Sequence, residues 1–322
     1  MSQSPQNQLS TLPATANYIP KRKGSYSHFF KDRYLYLMVC IPVLFYFVFK
    51  YYPMYGIVIA FQDYNMFKGF FGSEWVGLDV FRELFRMKQF WSALGNTLML
   101  SLLDLAVGFP GPIVLAILLN ELRTGLFKKI SQSLLYLPHF LSWIIISGML
   151  YQILSVKYGL VNHILEWSGI GTIPFLTDPN WWIFTYVASG VWQNIGWGAI
   201  IYLAAMAGIN SELYEAASVD GAKRFRLIWH VTLPCIRPTI VILFILTIGN
   251  ILNVGFERVF ALSNSLVSEN SEVIATFVYQ VGIQNAQFSL ATAIGLFQST
   301  VALVLLVISN FLAKKLGEDG IW

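Results

Sequence analysis

Six stretches of this 322-residue chain each stay apolar long enough to cross a lipid bilayer, and that repetition constrains the fold more than any other feature. A crossing helix needs about 20 mainly apolar residues to pass a hydrocarbon core roughly 30 Å thick. The runs lie at about 34–52, 94–119, 134–154, 183–206, 236–256 and 288–312. Backbone polar groups in lipid must be satisfied inside their own segment, so each run is read as a helix. A closed barrel would instead show short alternating strands, and the sequence has no such alternation. The expected fold is all-α: a polytopic membrane protein with about six transmembrane helices. With 56% hydrophobic and only 12% charged residues, the chain has too few ions to cover a water-soluble surface. Its two cysteines, Cys40 and Cys235, lie in or beside apolar runs and exclude a disulfide scaffold.

The placement of lysine and arginine sets the expected topology. With both termini in the cytoplasm, 14 of the 21 cations fall on the inner side, as the positive-inside rule requires. The net charge of +4 is then topological, and no nucleic-acid partner is expected. Residues 1–33 read as a polar and basic cytoplasmic tail, and residues 34–322 as the transmembrane domain. No cleaved leader is expected: the first run starts beyond residue 30 and is followed by Lys50, Tyr51, Tyr52 and Pro53, not by small residues. Two outer connections have character of their own. Residues 74–97 set Phe81, Leu84, Phe85, Phe90 and Trp91 among charges, which suits an amphipathic helix at the outer interface or an ordinary loop with aromatic anchors. The polar connection 257–287 is long enough to rest on a neighbouring subunit or to face an external partner.

The inner connection between the fourth and fifth runs is the most informative. Residues 211–234 read SELYEAASVDGAKRFRLIWHVTLP. Glu212, Leu213, Tyr214, Glu215, Ala216 and Ala217 favour helix, with Ser211 as the expected N-cap and carboxylates in the first turn, where the helix dipole is positive. Gly221 allows a break at positive φ. A second short helix is expected next, with Phe225, Ile228 and Trp229 as an apolar stripe beside Lys223, Arg224 and Arg226, and with Pro234 opening the fifth span. A unit with one greasy and one charged face suits docking on a cytoplasmic protein. The competing reading is a connector that lies on anionic headgroups.

The same residues carry a resemblance. Glu215, Ala216 and Ala217, then Asp220, Gly221 and Ala222, then Val231, Thr232, Leu233 and Pro234 resemble the EAA signature of permease subunits in binding-protein-dependent ABC importers. Val231 stands where that signature usually has Ile. FWSALGNTL at 90–98, YLPHFLS at 136–142 and YGLVNHIL at 158–165 resemble the oligosaccharide-importing branch. YYPMYGIVIAFQDYN at 51–65 resembles a subgroup associated with complex polysaccharides and uronide oligosaccharides. The resemblance implies a type I ABC-importer permease domain over 34–322, with 211–234 as the coupling loop in a groove of a cytoplasmic ATPase. Glu215, Ala216, Ala217, Asp220, Gly221 and Pro234 are then the coupling residues, Glu215 pairing with a base on the ATPase and Gly221 allowing the bend. It further implies two ATPase subunits, a second and commonly unlike permease subunit, an extracytoplasmic solute-binding protein and an oligosaccharide substrate. The setting would be a bacterial plasma membrane, among its lipids. The chain itself is expected to be no enzyme and to bind no cofactor, with ATP and Mg in the partner ATPase.

Other chemistry is missing. There is no G-x-x-x-x-G-K-[ST] run for phosphates, no H-E-x-x-H and no G-x-S-x-G elbow; His28, His139, His163 and His230 have no metal-ligand spacing. Polar residues at membrane depth are therefore the remaining site candidates. Asp104 is the clearest acid in a run and is expected to bond a neighbouring helix before it touches substrate, with a kink beyond it at Gly108, Pro110, Gly111 and Pro112. Asn250, Asn253 and Glu257 at i, i+3 and i+7 would form one helical stripe that suits sugar hydroxyls, or else bonds between helices. Gln193, Asn194 and Gln298 carry the same two readings, while Trp192 and Trp197 either stack on sugars or fill the bundle. An ion-gradient-driven secondary transporter is the competing function. It calls for several buried ionisable groups and paired broken helices, whereas the sequence offers one central acid and no repeat symmetry. An acidic oligosaccharide fits the subgroup, although Glu257 on the stripe would repel an anion.

Overall fold

The computed structural model describes residues 33–122, 125–315, 317 and 320, so the tail 1–33 lies outside the described residues apart from its last position. The chain divides into a unit ending at Gly56 and a larger one beginning at Ile57, which holds both sites described below. The first unit starts with α1 (Arg33–Tyr46), and a helical path continues over Tyr34–Phe61, beyond the end expected near residue 52. Pro53 does not stop it, because the fixed proline φ fits the first turn of the tighter 3-10 helix Tyr52–Phe61.

In the second unit β1 (Gln62–Asp63) pairs antiparallel with β2 (Glu74–Trp75). The amphipathic stretch that follows is shorter than expected: α2 (Asp79–Arg86) ends at extended Met87. Its apolar face packs on protein, with Val80 and Leu84 joining Ala60, Phe90, Ile274 and Phe277 in one cluster, while the Asp79–Arg82 pair stays in solvent. α3 (Lys88–Leu103) and α4 (Pro110–Glu121) form one long apolar path, Lys88–Glu121, with a π turn at Asp104–Gly108. Pro110 has no N–H to offer the preceding turn, and the ladder widens into the π turn just before it, at the place where a kink was expected.

The third run is not one helix. α5 (Leu126–Tyr136) leads into a 3-10 segment, Leu137–Phe140, and the path then bends by 102° into α6 (Trp143–Leu154). Pro138 sits at the break, Leu141 is extended, and Ser142 caps the new helix by accepting from the Ile145 N–H at 3.4 Å. The carbonyl of Leu141, freed by the break, accepts from the Gln193 side-chain amide at 2.9 Å. Without that partner a bare carbonyl would face an apolar bundle at a cost of several kcal/mol.

α7 (Pro179–Ala207) is the central helix, packing on α3, α4 and α5. Asp178 caps it by accepting from the N–H groups of Asn180 and Trp181 at 3.0 and 3.1 Å. Next come α8 (Ser211–Val219), α9 (Leu233–Gly249), α10 (Phe256–Leu262), α11 (Ile274–Tyr279) and α12 (Phe288–Lys315), whose last turn carries Lys314 and Lys315. Among the described residues four helical paths are long and apolar enough to cross a membrane, and the bent pair makes a fifth. α7 has the length of a sixth, with Trp, Tyr, Gln and Asn diluting its hydropathy. The connection 257–287 folds onto this chain's own core. Val259, Leu262, Ile274 and Phe277 are buried, and the Trp182 indole N–H donates to the Leu262 carbonyl at 2.8 Å.

Candidate functional site

The loop 211–234 is built from its ends inward. Asn210 caps α8 by accepting from the Glu212 N–H at 3.0 Å, one residue ahead of the expected Ser211. At the other end the Ala222 N–H bonds the Ala217 carbonyl at 2.9 Å and the Gly221 N–H bonds that of Ser218 at 3.0 Å. Gly221 lies at φ +80°, a left-handed position that costs glycine nothing and other residues about 1–2 kcal/mol. The expected second short helix is not separate: Arg224–Gly249 is one helix with a π turn at Ile228–Thr232. Pro234 therefore lies inside a helix instead of opening one, the wide turn before it absorbing the missing N–H. The Tyr214 hydroxyl stands 3.0 Å from Oγ1 of buried Thr232, which pins α8 to this helix. Glu215, Ala216, Asp220, Gly221 and Pro234 are exposed and Ala217 is half-buried. Val219 and Phe225 are each 88% exposed and Trp229 70%, so the loop holds apolar side chains away from the fold on a fixed frame.

The same helix leads to a cavity of about 480 Å³ between the π turn after α3, α7, and the end of α9. Asp104, Asn194, Trp197, Asn250, Asn253 and Arg258 line it. The expected stripe of Asn250, Asn253 and Glu257 does not exist as a helical face. α9 stops at Gly249, Asn250 turns the chain, and a new helix starts at Phe256. Asn250 bonds back to the Leu246 carbonyl at 2.9 Å, the self-capping that makes asparagine a helix ender. The turn still brings Asn250 and Asn253 to the cavity, whereas Glu257 is not among its lining residues. Asn253 Oδ1 accepts from Gln298 at 3.0 Å. Asn194 lines the cavity and its Oδ1 lies 3.2 Å from His139 Nδ1, while the His139 ring stacks on Trp197 at 4.5 Å. Gln193 is buried and spent on the Leu141 carbonyl; Trp192 is half-exposed outside the cavity.

The strongest electrostatic feature involves a residue that the sequence reading passed over. Arg258, 8% exposed, donates through Nη1 and Nη2 to the two carboxylate oxygens of Asp104 at 2.8 and 3.2 Å, and through Nη2 to the Tyr186 carbonyl. Its guanidinium lies over the Tyr186 ring at 3.5 Å and within 5.2 Å of the Trp143 ring. Gly190 makes room for it: a Cβ there would collide with the guanidinium. Asp104 thus bonds a neighbouring segment, as expected of an acid in a span. In the sequence Arg258 falls in the polar outer connection 257–287, and its position directly after a long apolar run is the signal that marks it.

Residues 108–318 match the family model described as binding-protein-dependent transport system inner membrane component. The polygalacturonan/rhamnogalacturonan transport system permease protein YteP of Bacillus subtilis (strain 168) is 47% identical over 302 residues, 94% of each chain. A crystal structure of a bacterial ABC transporter involved in the import of the acidic polysaccharide alginate includes a chain with 40% identity and a TM-score of 0.83, covering 90% of this chain and 98% of that one. A bacterial alginate ABC transporter in complex with an alginate pentasaccharide-bound periplasmic protein gives 39% identity and a TM-score of 0.84, covering 93% of this chain and all of that one.

Proposed function

This chain belongs to the binding-protein-dependent transport system inner membrane components, the multi-pass permeases of ABC importers, and from that premise we propose that it forms half of the pathway for an acidic oligosaccharide. The observation that carries the substrate class is that near full-length similarity leads both to a permease named for polygalacturonan and rhamnogalacturonan and to an importer of alginate. The cavity supports it: Asn194, Asn250 and Asn253 offer donors and acceptors to hydroxyls, and Trp197 an aromatic face to a ring.

The rest of the machine follows the same reading. Six spans make too small a wall for a sugar pathway, so a second, unlike permease subunit completes it. Two cytoplasmic ATPases, holding ATP and Mg, dock on the 211–234 loop of this chain and its counterpart in the partner, with Glu215 and the exposed Phe225 and Trp229 as the contact. This chain holds no cofactor. A solute-binding protein delivers the sugar from outside, and both termini lie in the cytoplasm. Closure of the ATPases biases a two-state bundle, the helix Arg224–Gly249 running from the docking loop to the cavity. In liposomes containing the assembled importer, uronate oligosaccharides should stimulate ATP hydrolysis and uptake, and neutral arabino-oligosaccharides should not. Uptake that persists without ATP and collapses with an ionophore would instead favour a secondary transporter.

A further inference from the structure

We propose that Arg258 reads the carboxylate of the acidic sugar within the cavity, with Asp104 as its resident counter-ion, an inference that rests on the acidic-oligosaccharide reading above. Arg258 is more than nine-tenths buried and yet lines the cavity. Among the described lining residues it is the one cation and Asp104 the one carboxylate. Its Nε–H is enclosed and has no acceptor among the described residues, so the guanidinium is not fully satisfied by this chain. The seat is purpose-shaped, with the Tyr186 ring beneath the guanidinium and Gly190 leaving space beside it. Neutral sugars would need none of this, because amides and hydroxyls satisfy them. A buried guanidinium is costly even when paired, and its planar fork matches a carboxylate in shape and charge.

The two partners differ in freedom. The Asp104 side chain is 34% exposed against 9% for Arg258, so the acid is the partner that can yield. A uronate arriving in the cavity meets a neutral pair that does not repel it and takes the place of Asp104 on the Nη side of the fork as the more exposed acid swings away. No bond or proton changes hands; two carboxylates exchange on one cation. Asp104 also keeps the sugar's stay short, since its return displaces the uronate. The sequence-based conflict between an acidic substrate and Glu257 disappears, because Arg258, not Glu257, faces the cavity.

The test uses the assembled importer in liposomes with a galacturonate oligosaccharide of fixed length and its full methyl ester, which is uncharged. Wild type should prefer the acid. Asp104→Asn frees the fork and should lower KM for the acid about tenfold relative to KM for the ester, with kcat for the acid falling as release slows. The double variant Asp104→Asn with Arg258→Gln should lose the acid-over-ester preference while still moving the ester, which shows that it folds. Should the double variant not assemble, the Asp104→Asn result decides. Equal changes for acid and ester in Asp104→Asn, or an undiminished preference in the double variant, would reduce the pair to a structural brace and overturn the inference. A wild type that moves both forms alike also overturns it and leaves the acidic-oligosaccharide reading standing. A wild type that moves neither sinks that reading, and this inference with it.

Discussion

The 211–234 loop and the Asp104–Arg258 centre are both polar interruptions of an apolar chain, and they are built on opposite logics. The loop is contiguous, braced by the Tyr214–Thr232 contact, and turns Phe225 and Trp229 outward. The centre joins residues 154 positions apart and encloses them, with most of their polar atoms paired within the chain. The difference matches the roles proposed for them. A surface made for another protein can stay incomplete in its own chain, whereas polar groups enclosed by an apolar bundle must satisfy one another, because lipid supplies no water.

The sharpest way to break this contrast is to remove one partner of the buried pair. Arg258→Ala leaves Asp104 without its cation and the Tyr186 carbonyl without a donor, and it empties the seat at Gly190. Deleting one member of a buried pair costs about 3–5 kcal/mol, and the partial exposure of Asp104 places this case near the lower end. The thermal unfolding midpoint of the detergent-solubilised protein should fall accordingly. Removing both charges with Asp104→Asn and Arg258→Gln should restore most of the loss. A single variant as stable as wild type would mean that the centre is not held together as a pair.

The same contrast explains how much was legible in advance. α8 with its glycine closure could be read from sequence because caps, propensity and the Gly221 stop act within a few residues. The apolar runs were legible for the same reason, a local demand for length. What failed depended on distant partners. Leu134–Leu154 looked like one helix, and Pro138 breaks it where the Gln193 amide stands ready to take the freed carbonyl. Asn250, Asn253 and Glu257 looked like a stripe because α9 was expected to continue; Asn250 ends it, and the cavity takes two of the three. Arg258 was missed because its partner Asp104 lies in another span, and no periodicity links them.

A substitution in the loop should show the reverse signature, with function lost and fold kept. Gly221→Asp forces a left-handed backbone on a residue with a Cβ, at about 1 kcal/mol, and nothing lies within 4 Å of that Cβ to add a clash. Unfolding of the isolated chain should therefore hardly change. In the assembled importer, uptake per ATP hydrolysed should fall at least about tenfold, because in the proposed docking Gly221 sets the angle at which α8 would meet the ATPase. Glu215→Lys, which changes charge without touching the backbone, should act in the same direction. Full uptake by both would remove the loop from coupling and erase its difference from an ordinary connector.

The smallest effect separates the two roles an asparagine can have at the edge of the cavity. Asn253 faces the cavity, accepts from Gln298 at 3.0 Å and donates to Asn250 Oδ1 at 3.4 Å, so Asn253→Leu removes one good neutral hydrogen bond and one long one. The cost to the fold is about 1 kcal/mol, since the Gln298 amide keeps its second bond, to the Leu252 carbonyl. If the amide also meets sugar hydroxyls, KM should rise severalfold for acid and ester alike, by about as much as one neutral hydrogen bond is worth. That shared rise would set Asn253 apart from Arg258, whose effect must follow the carboxylate. An unchanged KM and substrate range would leave Asn253 as a brace between the α9 turn and α12, and would confine recognition in this cavity to the charged pair and its aromatic floor.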